Sequence, residues 1–74
     1  MPVDVEMIDV TSSNVAAVGY EPKSKTLVVD FNNGTRYEYY DVDVDVFNEL
    51  KDSPSVGGYL FTDIKGIYDY NRVA

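Results

Sequence analysis

The clearest pattern in the chain is the alternation of Leu27, Val29 and Phe31 with Thr26, Val28 and Asp30, the two-residue period of a strand. It runs into Asn32, Asn33 and Gly34, a hairpin signal, and a further strand follows over residues 35–40. Loop length decides which side chains share a face. A two-residue turn at Asn33 and Gly34 would group Leu27, Val29 and Phe31 with Glu38. A three-residue loop with Gly34 left-handed pairs Val29 with Tyr37 and Leu27 with Tyr39, collecting the apolar residues on one side. Because a one-residue slip flips every side chain, the pattern selects the three-residue loop. Upstream, residues 15–20 read as a first strand between a turn cluster at 11–14 and a polar turn at 21–24.

Beyond residue 40 the period changes. Val42, Val46, Phe47 and Leu50 are spaced as one helix face. Asp43 and Asp45 in the first turn and Lys51 near the end complement the helix dipole. Ser53 and Pro54 stop this helix. Ser55 suits the N-cap of a second helix reaching about Gly66, with Val56, Tyr59 or Leu60, and Ile64 inward. Gly57 and Gly58 weaken it by about 1 kcal/mol each relative to Ala, which points to a neighbour packed close against them. The tail over residues 67–73 alternates and reads as extended. The expected fold is α+β: a three-stranded antiparallel meander followed by two short helices packed on one face. Residues 1–9 form an N-terminal segment, loose or adding an edge strand through Val5, Met7 and Ile8; residues 10–74 form a single domain.

Seventy-four residues leave room for one thin core, burying roughly 60% of the unfolded chain's surface. Seven Tyr and three Phe supply much of it. The chain has neither Cys nor His. Thiol nucleophiles and thiolate metal sites are thereby excluded, and the commonest general base and metal ligand is missing. The absence of cysteine and the acidic, non-basic N-terminus imply a cytoplasmic setting with no secretory signal, and no apolar run is long enough for a membrane span. Thirteen acids against six bases give a net charge of −7. That charge keeps a small protein soluble; adaptation to a salty cytoplasm or mimicry of a nucleic acid are the competing readings, and the balance opposes electrostatic binding of nucleic acid.

Together these segments resemble a known family, the KTSC domain. The resemblance is carried by Val10, Thr11, Ser12, Ser13, Asn14 and Val15; by Val18, Gly19 and Tyr20; by residues 27–31 and Gly34; and by Tyr37, Glu38 and Tyr39, which match the family's central Tyr-x-Tyr. It continues through residues 46–50, Ser55, Gly58, Tyr59, Ile64, Tyr68 and Arg72. The family takes its name from the C-terminal end of some lysyl-tRNA synthetases and also occurs as a stand-alone protein. The chain departs from the family's pattern at Asp43 and Asp69, where the family tends to have Pro, and at Leu60 and Phe61, where it tends to have Phe-Asn. Its second helix offers only Lys65, where the family's is often basic. The resemblance implies a proposed RNA-binding role and no catalytic residues.

Several side chains are candidates for chemistry. Tyr37 and Tyr39 form either a stacking platform for unpaired bases or a cross-strand cluster with Leu27 and Val29; alternation places them on the apolar face, under the helices. Arg36, Lys25, Lys65 and Arg72 are candidate phosphate contacts, although Arg36 points away from Tyr37 along the strand. Tyr20, Tyr59 and Tyr68 either line a groove or cap the core with hydroxyls at the rim. Ser12, Ser13 and Ser55 suit turns and caps, having no histidine to activate them. Asp41, Asp43 and Asp45 start like a calcium loop, but its sixth and twelfth positions hold Val46 and Asp52 in place of Gly and Glu. The expectation is a non-enzymatic module with no cofactor and no metal. A protein partner comes first, reached through an edge strand or exposed Tyr; RNA is the alternative, and the chain is a monomer or a homodimer.

Overall fold

The computed structural model describes residues 5–73. Its centre is a five-stranded antiparallel sheet in simple chain order: β1 (Ile8–Asp9), β2 (Val15–Glu21), β3 (Thr26–Phe31), β4 (Arg36–Tyr39) and β5 (Tyr70–Arg72). The hairpin between β3 and β4 has the three-residue loop. Val29 stands opposite Tyr37 and Leu27 opposite Tyr39, the Phe31 N–H donates to the Thr35 carbonyl at 2.8 Å, and Gly34 has φ +90°. Only glycine adopts that φ without strain, so the turn residue and the face of every β4 side chain are linked.

The expected three-stranded meander is corrected to five strands. Ile8 pairs with Val18 and Asp9 with Ala17, adding β1 at one edge. At the other, Tyr37, Glu38 and Tyr39 pair with Arg72, Asn71 and Tyr70. Pairing of both terminal segments satisfies backbone groups that a three-stranded sheet would leave open at its edges. Within β2, Val15 pairs with Phe31 and Ala17 with Asp30, so Ala16 is the extra residue of a bulge.

The helical half also departs from expectation at both ends. Helix α1 spans Val44–Asp52, and Val42 precedes it. Asp41 takes φ +58°, and Val42 is instead tied to the β2–β3 connection, its N–H donating to the Lys25 carbonyl at 2.9 Å. Val42 is nonetheless fully buried. The second helix is not one continuous α-helix to Gly66. It is a single α turn, α2 (Val56–Tyr59), capped by the Ser55 hydroxyl accepting from the Gly58 N–H at 3.3 Å, followed by a π-helical turn over Leu60–Ile64. Val56, Leu60 and Ile64 recur every four residues and are all buried. A four-residue repeat drifts around an α-helix of about 3.6 residues per turn, and the wider π turn takes the drift back.

The core lies between these helices and one sheet face, around Val18, Leu27, Val29, Tyr39, Leu50 and Ile64. The second face is not open either. Val28 and Gly19 are buried there, and residues 5–7 cross over Gly19; a Cβ at that position would stand 2.7 Å from the Met7 sulfur and from Val5 Cγ2. Packing on one face alone is therefore corrected to helices on one face and the N-terminal segment on the other. The part of that segment comprising residues 1–4 lies outside the described residues. Among the described residues, no helix is long and apolar enough to cross a membrane.

Candidate functional site

The helices cover only part of their sheet face. Beside them, where β4 and β5 carry aromatic residues, a groove remains open. Register builds its floor: Leu27, Tyr39 and Tyr70 are consecutive cross-strand neighbours, as are Val29, Tyr37 and Arg72, all on the helix-bearing side. Tyr39 is 1% exposed and belongs to the core. Tyr37 is half-buried, and Tyr70 is 58% exposed with its ring centre 5.7 Å from that of Tyr37 and 5.8 Å from that of Tyr39. Phe31 meets Tyr37 edge-on at 5.5 Å. Of the two readings of Tyr37 and Tyr39, the arrangement found is the cross-strand cluster with Leu27 and Val29. Tyr39 has no free face, and the exposed ring of the cluster is Tyr70, which alternation in the tail places across from Tyr39. Burial also pushes the Tyr39 hydroxyl above its ordinary pKa, with Tyr37 and Tyr70 adding to the effect.

The opposite wall comes from the π turn. Leu60 and Ile64 point inward, and Phe61 points out, 70% exposed. The Lys65 ammonium sits 5.5 Å from the centre of the Phe61 ring, within cation–π range. The Lys65 N–H donates to the Leu60 carbonyl at 2.8 Å, the wide-turn bond that holds this wall in shape. The groove has two compartments. One, of about 410 Å³, lies among Asn14, Asn32, Leu60 and Phe61. The other, of about 320 Å³, lies among Thr35, Tyr37, Tyr39 and Tyr70. Phe31, Asn33 and Lys65 border both. Among the described residues, no carboxylate lines either compartment, and Lys65 is the charged group in each. The side-chain amides present complementary groups. Asn33 Oδ1 accepts from the Thr35 N–H and hydroxyl, leaving its NH2 as the donor; Asn32 Nδ2 donates to the Ser12 carbonyl, leaving its oxygen as the acceptor.

The other candidate residues are not gathered here. Arg36 lies on the opposite sheet face, bound through two nitrogens to the Asp30 carboxylate, the Nη2 bond being 2.8 Å. Lys25 pairs with Asp43 at 3.4 Å beside α1. Arg72 stands opposite Tyr37 at the outer edge but does not line the groove. The Tyr20 hydroxyl donates to the Val42 carbonyl, and its ring stacks on Phe47 at 5.3 Å. The Tyr59 hydroxyl donates to Glu49 on α1 at 2.9 Å, and Tyr68 is half-buried against the core. These three rings cap the core at its rim, with no shared groove. Phe61, Tyr70 and Asn33 were missing from the sequence-based candidates. The outward direction of Phe61 depends on the π turn, and the position of Tyr70 on pairing across a gap of thirty residues.

Among the described residues, no three His, Cys, Asp or Glu side chains gather to hold a metal ion. A profile of the KTSC domain matches residues 11–73. The chain belongs to the KTSC domain family. A lysine–tRNA ligase of Nostoc sp. is 39% identical over 62 residues, covering 84% of this chain and 11% of the ligase. The KTSC chain therefore spans about a tenth of the length of that relative. A protein of Tsukamurella paurometabola is 37% identical over 54 residues, covering 73% of this chain and 81% of that protein. The crystal structure of a KTSC domain protein from Yersinia pestis superposes with a TM-score of 0.89 at 24% identity, over 96% of this chain and all of that one. The KTSC domain thus occurs both as part of lysine–tRNA ligases and by itself.

Proposed function

We propose that this domain is a non-catalytic, cytoplasmic accessory module that holds unpaired RNA in the groove between Phe61 and Tyr70. The observation that carries the proposal is the groove's charge. In a chain with net charge −7, two adjoining aromatic compartments contain Lys65 and, among the described residues, no carboxylate. Aromatic faces stack any base at about 1–3 kcal/mol each, and side-chain amides hydrogen-bond base edges. A surface otherwise rich in acids lacks the broad positive field that drives non-specific binding, so affinity rests on stacking and is weak, in the range of micromolar to millimolar. The similarity to part of a lysine–tRNA ligase supports a ligand connected with tRNA. The missing histidine and cysteine support the absence of catalysis.

A second reading, a module for a protein partner, is favoured by one observation. Strand β5 is a three-residue edge, exposed along its length, and among the described residues no strand pairs with its outer side. Chemical-shift titration of the labelled protein with a pool of short single-stranded RNAs separates the two. Shifts confined to Asn33, Phe61, Lys65 and Tyr70 support the RNA reading. A protein that stays silent toward RNA at low salt sinks it and leaves the β5 edge as the surface to pursue.

A further inference from the structure

Resting on the RNA reading, we infer that the groove is a two-nucleotide site: one base enters each compartment, and Lys65 holds the phosphate that links them. Three features of the groove lead there. First, each compartment has its own exposed aromatic wall, Phe61 for one and Tyr70 for the other. Each is large enough for a small ligand group by the usual scale of about 300–1,000 Å³ for such sites. Second, the compartments meet at Phe31, Asn33 and Lys65. Lys65, the one cation of the groove among the described residues, therefore stands at the junction, where the backbone linking two seated bases has to pass. Among the described residues no carboxylate lines the groove beside it, and its ammonium rests over the Phe61 ring. Third, the groove does not continue as a basic track. Among the described residues, no second cation lines either compartment. Further phosphates on either side meet no lining cation, so the counterion-release gain that rewards longer strands elsewhere does not accumulate.

The site therefore reads length. Affinity rises once, when a second nucleotide is added, and then stops rising. The test is a series of single-stranded RNAs from one to six nucleotides, with dissociation constants measured by chemical-shift titration at two salt concentrations. From one to two nucleotides the constant tightens about tenfold, the worth of one more stacked base. From two to six it changes by less than about twofold. The salt dependence corresponds to about one phosphate at every length from two upward. Lys65→Gln removes that salt dependence. Phe61→Ala and Tyr70→Ala each bring the dinucleotide down to mononucleotide affinity; both side chains are largely exposed, and an unchanged amide spectrum elsewhere verifies the fold. Affinity that keeps climbing with length overturns the two-nucleotide site and leaves the RNA reading standing. Equal affinity for one and two nucleotides overturns it in the other direction. Absence of binding at every length brings down the RNA reading, and this inference with it.

Discussion

Tyr70 and Tyr39 face each other across β5 and β4, their ring centres 5.8 Å apart, yet one is 58% exposed and the other 1%. The inner ring belongs to the core, and the outer ring covers it while keeping a free face. The two residues should therefore respond differently to truncation. Tyr39→Ala removes a buried aromatic at a cost of about 3–5 kcal/mol. That is comparable with the whole stability of so small a domain, so the variant unfolds. Tyr70→Ala gives up the two contacts of one exposed ring, about 1 kcal/mol, and the domain remains folded. Urea unfolding of both proteins measures this; similar losses would contradict the assignment of core and cover.

Gly19 lies beneath the crossing residues 5–7, with the Glu6 carbonyl oxygen 3.0 Å from where a Cβ would stand. Gly19→Ala forces that segment outward and destabilises the domain by about 1–3 kcal/mol, as overpacking does. Amide exchange should accelerate at Ile8 and Asp9, whose pairing with Val18 and Ala17 depends on the same segment. Unchanged protection there would show that the segment contributes nothing to holding β1.

Arg36 and Lys65 were both candidate phosphate contacts, and the fold puts them on different surfaces. Arg36→Ala breaks the part-buried pair with Asp30 and costs about 1 kcal/mol of stability. RNA affinity should be unaltered, whereas Lys65→Gln leaves stability alone and weakens RNA binding. Paired unfolding and titration experiments on the two variants test this separation, and loss of RNA binding in Arg36→Ala would count against the groove.

Burial, the hydrogen bond donated to Glu49 and the nearby acidic charge push the Tyr59 hydroxyl from its ordinary value of 10.0 up to about 12. The folded state therefore keeps this proton where the unfolded chain releases it. The unfolded state binds fewer protons between pH 10 and about 12, so stability is intact below pH 10 and falls through that window. Tyr20, Tyr39 and Tyr40 are raised in the same direction, so the informative quantity is a difference. Tyr59→Phe should lose less stability than the parent between pH 10 and pH 12 in urea unfolding. Parallel curves would mean that Tyr59 does not hold its proton against Glu49.

The hairpin was legible in the sequence because its determinants are local. Alternation in β3, Gly34 and the apolar content of Tyr37 and Tyr39 allow one register that buries a consistent face. The stop at Pro54 and the Ser55 cap were legible for the same reason, as each is a short-range backbone preference. The family resemblance was likewise carried by residues read in order along the chain, and the profile over residues 11–73 matches it.

Tertiary structure alone decided the rest. Strands β1 and β5 hold two and three residues; the sequence allowed β1 as an edge strand and alternation marked β5 as extended, but their pairing came only from the open edges of β2 and β4 that accept them. Val42 has helix-compatible spacing but is fixed by a hydrogen bond to Lys25, a contact between distant turns. The π turn arises from burying Leu60 and Ile64 together, and it turns Phe61 and Lys65 outward toward the groove. By itself the sequence determined the apolar set on the helix-covered sheet face and how the central hairpin pairs, since those follow from local period and turn chemistry. Where Tyr70, Phe61, Asn33 and Lys65 meet was decided only by the closing of the sheet and the packing of the helices, because a groove is made by segments distant in the chain.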